Sequence, residues 1–174
     1  GGRGPGDFVN VMLVGTDAQV QAAFVAAGWD TPARMSTRSD FETFVRAAAA
    51  EGYTHQPVSA QTMFGRDPDL VFQRVTDTFA KRHHVRMWRT DSTIAGVPVW
   101  LAAATHDIGV VVSREHRGFT HRVEDNIDIE RDKLVGDLVA MQQVNQLGYW
   151  ARTAPTDEAR GAFTSDWRVA IVRF

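Results

Sequence analysis

Hydrophobic and polar positions alternate with a period of two over two neighbouring stretches, His83 to Arg89 and Val97 to His106. In the first, Val85 and Met87 fall on one side and His84, Arg86 and Trp88 on the other, the signature of a half-buried strand. In the second, Val97, Val99, Leu101 and Ala103 oppose Trp100 and His106. Thr90 to Gly96 reads as the turn between them, so the two runs are expected to form an antiparallel hairpin. With apolar faces matched, His84, Arg86, Trp88, Trp100 and His106 would share one surface.

The pattern changes elsewhere along the chain. Gly1 to Gly6 is a glycine-rich stretch read as part of a flexible lead over residues 1–7, ahead of one domain over 8–174. FVNVMLV (8–14) is apolar except at Asn10, as expected of a strand buried on both faces near the middle of a sheet. A helix is predicted from Asp17, the expected N-cap, to Ala27, with Val20, Ala23, Phe24 and Ala27 inward and Gly28 closing it. Ser39-Asp-Phe-Glu42 matches a capping box for a second helix running to Gly52. Tyr53 to Asp69 is polar and broken by Pro57, Gly65 and Pro68, which suggests a long surface excursion.

Leu70 to Val75 is read as a short strand, Ile108 to Ser113 as the strand after the hairpin, and Glu115 to Gly118 as a turn. A short strand at Phe119 leads to a third helix capped by Asp125, Asn126 or Asp128. That helix is expected to bury Leu134, Val135, Leu138, Met141 and Leu147 and to stop at Gly148. Tyr149–Arg152 and Trp167–Phe174 then close the chain as a hairpin. The order favours a single α+β domain, with a mixed or mainly antiparallel sheet and about three helices packed on it.

Composition narrows the function classes. The 174 residues suit one domain with a core of its own. With 19 basic against 21 acidic residues there is no basic footprint for nucleic acid. No cysteine is present, which excludes disulfides, thiolate metal sites and cysteine nucleophiles. No apolar run reaches the length of a membrane span.

Three chemistries deserve weighing. Arg82, His84, Arg86 and Arg89, close to Trp88 and Trp100, form a cationic strand face suited to a phosphate or carboxylate. The plain alternative is a structural face on which Arg stacks against Trp. His83, His84, His106, Asp107 and His121, with Asp128, Glu130 and Asp132, offer imidazole and carboxylate donors for a divalent metal able to activate water. Their spacing matches no metal motif. Of these, His84, His106, Asp107, His121, Asp128 and Asp132 are taken as the candidate ligands. A serine nucleophile would come from Ser59, Ser92 or Ser113, none of which sits in a recognisable motif. Arg131, between Glu130 and Asp132, has a simpler reading as a bridge from helix to sheet.

The segments RHHVRMWRT (82–90), VPVWLAAATHDIG (97–109) and THRVEDNIDIERDKLVGDL (120–138), preceded by VNVMLVG (9–15) and MFGR (63–66), resemble the LssY-like C-terminal domain family. The likeness covers most of the chain in order. It falls on Arg82, His83, His84, Arg86, Trp88, Arg89, Asp107, His121, Asp128, Glu130, Arg131 and Asp132. It implies a bacterial, membrane-associated envelope protein, whose neighbouring modules are DedA-like or phosphatidic-acid-phosphatase-like. Phosphatase chemistry would belong to such a neighbour and is not carried over to this chain. The leading expectation is a ligand-binding or regulatory domain that recognises an anionic group, such as phosphate or a lipid head group, through Arg82, His84, Arg86, Trp88, Arg89, His121 and Arg131. The competing expectations are a metal-assisted hydrolase and a structural or protein-interaction module.

Overall fold

The computed structural model describes residues 8–30, 63, 65–78, 81–113, 118–156 and 162–174. Within them lie seven strands and two helices: β1 (Val11–Val14), α1 (Asp17–Ala26), β2 (Leu70–Thr78), β3 (Lys81–Ile94), β4 (Val97–Ser113), β5 (Gly118–Val123), α2 (Ile127–Ala140), β6 (Gln146–Ala151) and β7 (Arg168–Arg173). The strands form one sheet in the order β2-β3-β4-β1-β7-β6, with β5 paired to the far half of β4. Among the described strands only the β1–β7 pairing is parallel. The fold is α+β with a mixed sheet. The helix expected from Ser39 to Gly52, the lead over 1–7 and the turn after Ser113 lie outside the described residues.

Both helices pack on one face of the sheet. Val20, Ala23 and Phe24 of α1, with its C-cap Ala27, meet Leu134, Val135 and Leu138 of α2. Below them lie Val11, Leu13, Phe72, Val85, Met87, Trp100, Ala102, Ala104, Ala170 and Val172. Small Ala102 and Ala104 on the central β4 leave room for the helices above, while Phe24 stacks on Phe72 with centroids 4.5 Å apart. β1 sits at the centre of the sheet, as its unbroken apolar character implies.

Local chemistry sets the boundaries. α1 is capped by Thr16 rather than Asp17: the Thr16 hydroxyl accepts from Gln19 N while the Gln19 side chain accepts from Thr16 N, a reciprocal box. The helix closes at Gly28, whose φ of 76° suits the left-handed cap. The β3–β4 turn is shorter than Thr90–Gly96. Only Ala95 and Gly96 form it, with φ of 51° and 77°, as a two-residue primed turn requires. β4 runs unbroken to Ser113, so the strand expected from Ile108 is its far half, paired to β5 instead of β1.

α2 is capped by Asn126 and ends at Ala140 without a glycine. Gln142 takes a φ of 55°, and the amides of Gln142 and Gln143 bond back to Val139 O and Leu138 O. Met141 and Leu147 are therefore exposed, and Leu147 belongs to β6. The expected closing hairpin is present as β6–β7.

Gly15 makes one close approach. A Cβ there would lie 2.8 Å from Cδ2 of Phe174, itself part of the core. Gly15→Ala is therefore expected to cost about 1–3 kcal/mol, as overpacking does. A urea midpoint matching that of the parent would count against this packing.

Candidate functional site

The hairpin register decides which side chains meet. His83 pairs with His106, Val85 with Ala104, Met87 with Ala102 and Arg89 with Trp100. Odd positions of β3 thus share a face with even positions of β4, and that face is the one beneath the helices. The shared surface expected for His84, Arg86, Trp88, Trp100 and His106 does not form. Trp100 and His106 lie on the helix-covered face with His83, whereas His84, Arg86 and Trp88 lie on the opposite one. The reason is that β4 puts its alanines, not Val99 and Leu101, against Val85 and Met87.

Under α2 this register assembles a cluster of two imidazoles and a carboxylate, with His83 and Glu130 buried and His106 half-buried. The rings of His83 and His106 stack with centroids 4.2 Å apart and planes 16° apart. From the first turn of α2, Glu130 reaches down so that its Oε2 lies 2.7 Å from His83 Nδ1. His83 is 6 % exposed and Glu130 1 %. The second carboxylate oxygen, Oε1, is buried and has no hydrogen-bond partner among the described residues. One donor atom from each of His83, His106 and Glu130 lies within 4.8 Å of the others. Trp29 sets its ring edge-on to His83, with centroids 6.3 Å apart, and is itself held by its indole N–H donating to Asp137 Oδ2. The same oxygen accepts from Arg74 and Lys133, so three donors fix the cover over His83.

Beside this cluster, the next residue of α2 points elsewhere. Arg131 is 1 % exposed and its guanidinium donates to Asp132 Oδ1 (2.7 Å), Asp128 Oδ1 (3.0 Å), both carboxylate oxygens of Asp166 (2.7 and 3.3 Å) and the carbonyl of Arg168 (2.9 Å). Burial alone would lower the Arg131 pKa, but the bonds to Asp132 and Asp166 outweigh it and hold the pKa above the ordinary arginine value. In turn, the Arg131 hydrogen bond, aided by Arg168, keeps the Asp166 carboxyl well below the usual aspartate range. Arg131 is the bridge from helix to sheet that its acidic neighbours suggest.

Of the candidate metal ligands, His106 joins the cluster and His84 lies on the other face of the sheet. Asp128 and Asp132 are bonded to Arg131. Asp107 pairs in register with Arg82 and Val123, and His121 with Val110; the side chains of Arg82, Asp107 and His121 lie outside the described residues. Of the candidate anion ligands, Arg89 faces α1 and lies 3.5 Å from Asp17, while Trp88 is buried and donates its indole N–H to Arg66 O. His84 and Arg86 are half-buried.

His83 and Glu130 complete the cluster, and both carried a sequence signal. His83 has the parity of Val85 and Met87, and Glu130 has the helical spacing of Ile127, Leu134 and Leu138, so each falls on an apolar face. Trp29, just past a helix end, had no such signal.

The architecture and the cluster define a two-layer α+β domain with a histidine–histidine–glutamate centre between helix and sheet. The chain belongs to the family described as LssY C-terminus, whose model matches residues 1–168. No curated protein and no solved structure matches it. Among the described residues no helix is long and apolar enough to cross a membrane.

Proposed function

We propose that this domain is a divalent-metal-binding module, in which His83, His106 and Glu130 hold the ion. The observation that carries the reading is the Oε1 atom of Glu130, a buried carboxylate oxygen with no partner among the described residues, beside two imidazoles. Burying such an atom unsatisfied costs free energy, and a cation in the cluster removes that cost. Two nitrogen donors and one oxygen suit zinc or another borderline first-row ion, and the absence of cysteine leaves no competing thiolate set.

The ion would also tie α2 to the β3–β4 hairpin, because its ligands come from all three elements. The burial of His83 and Glu130 favours such a regulatory or stabilising role over turnover. A three-ligand set does leave a fourth tetrahedral position for water, which is what supports hydrolysis as the second reading.

The test is metal analysis of untagged protein purified without chelators, followed by calorimetric titration with zinc. The parent protein is expected to take up one equivalent and to melt at higher temperature when zinc is present. Glu130→Gln keeps the shape and a hydrogen bond to His83 but loses the anionic donor. It is expected to weaken zinc binding by at least about 100-fold, since outer-shell partners alone are worth 10–100-fold. Absence of uptake by the folded parent, or equal affinity in the Gln variant, would overturn the proposal.

A further inference from the structure

The ion site and a surface strap hang on the same helical turn. Thr164 to Arg168 form that strap, which runs into β7 and is fastened to the start of α2. Thr164 N donates to Asp125 O, and Ile127 N donates to Thr164 O. The Ser165 hydroxyl donates to Asp128 Oδ1 (2.7 Å) and Asp166 N to Asp128 Oδ2 (2.6 Å). Arg131 binds the Asp166 carboxylate and the Arg168 carbonyl. Within the strap, Trp167 holds a φ of 57°, which a non-glycine residue adopts only when its surroundings impose it. Asp128 and Arg131 hold the residues on either side of Trp167, and Glu130 lies between those two in sequence.

We infer that occupancy of the His83–His106–Glu130 site is transmitted through the first turn of α2 to the strap at residues 164–168, which rests on the metal-binding reading. Glu130 Oε2 is bonded to His83 Nδ1 at 2.7 Å, which leaves Oε1 as the oxygen without a partner among the described residues. The stacked rings must tilt to share an ion with it, because each imidazole binds a metal in its own plane. An ion held in this way satisfies Oε1 and joins Glu130 to His83 on β3 and His106 on β4. That fastens the turn to both strands of the hairpin.

Asn10 already anchors the start of this turn by donating to Ile127 O. A turn held at Ile127 and at Glu130 opens less often, and the strap, bonded mainly to that turn, opens with it. The domain thereby acquires a surface segment whose order follows the ion, as a regulatory module needs.

Hydrogen exchange of the intact domain, with and without zinc, tests this at the amides of Thr164, Asp166, Trp167 and Arg168. With zinc at 100 times its measured Kd, these are expected to slow several-fold more than the amides of β6. Their ceiling is about 100-fold, the factor by which such a ligand disfavours any state unable to bind it. Asp166→Asn weakens the bond from Arg131 while leaving the three ligands intact. It is expected to bind zinc with the parent's affinity and to lose most of the slowing. Zinc binding seen by calorimetry with strap amides unchanged, or slowed no more than β6, would overturn the coupling alone. No zinc binding would remove the coupling together with the metal reading.

Discussion

Replacing Arg131 by leucine is expected to lower the free energy of unfolding by about 3–5 kcal/mol, the usual cost of removing one partner from a buried ionic network. Leucine fills part of the volume but leaves Asp128, Asp132 and Asp166 facing one another without their shared cation, and it strips the Arg168 carbonyl of its donor. Arg131→Lys should recover only part of the loss, since an ammonium is a point charge and cannot span the fork that bonds Asp166 at both oxygens.

The acid dependence of stability supplies an independent readout. Asp166 has a depressed pKa in the folded state, so the stability it contributes is present above the ordinary aspartate value near 3.9 and is lost as the pH falls below that toward the folded-state value. The parent should therefore lose stability steeply below about pH 4, and the leucine variant should lose that part of the slope. Urea unfolding of both proteins at neutral pH and at pH 3 measures the two effects. A difference under about 1 kcal/mol at neutral pH would mean that the network is close to neutral, as buried ion pairs replaced by apolar groups sometimes are.

Elements governed by local rules were legible from the residues, whereas the pairing between elements was not. The β1–α1 opening follows from an apolar run, a cap and Gly28, all within twenty residues of one another, and the closing β6–β7 hairpin follows from the two runs at Tyr149–Arg152 and Trp167–Phe174. Alternation along β3 likewise separates His83, Val85 and Met87 from His84, Arg86 and Trp88.

What alternation within one strand leaves open is which parity of the next strand it meets. Here the two-residue turn at Ala95-Gly96 settles that question, and the shift of two between Arg89 and Thr93 keeps the same parity. Matching the largest side chains across the hairpin sets Val99 and Leu101 against Met87. The space taken by α1 and α2 instead favours Ala102 and Ala104 at those points. That single difference in parity moves His106 from beside His84 to beside His83, and with it the centre of the candidate site. The end of α2 was obscured for a related reason: Gln142 adopts the left-handed cap that glycine usually supplies, so the next glycine along the chain, Gly148, marks nothing.

Asn10→Leu is expected to cost about 3 kcal/mol or more, although leucine matches asparagine closely in shape and the site directly precedes the apolar strand β1. The Asn10 side chain works as an extra rung of the sheet. Its Oδ1 accepts from Ala104 N (2.9 Å), and its Nδ2 donates to Ala104 O (3.0 Å) and to Ile127 O (3.1 Å). Its own backbone bonds Ala102 on one side and Ala170 on the other. The pairing of β1 with β4 ends at Val11–Ala102, so the backbone groups of Ala104 on that side rely on this carboxamide.

Leucine leaves Ala104 N and Ala104 O short of a partner in the interior, at about 1–3 kcal/mol each where no water reaches them, and removes the side-chain donor to Ile127 O. Asn10→Asp should be no milder, because it discards both N–H donors and buries a charge. The variant also separates stability from the metal site. Asn10 touches no candidate ligand, so a leucine variant that stays folded at low temperature should still bind zinc one to one. Its strap amides should exchange faster than the parent's, since the start of α2 has lost its tie to the sheet. An unfolding midpoint within error of the parent would show that other groups, or water, satisfy Ala104, and that the side-chain rung carries no stability of its own.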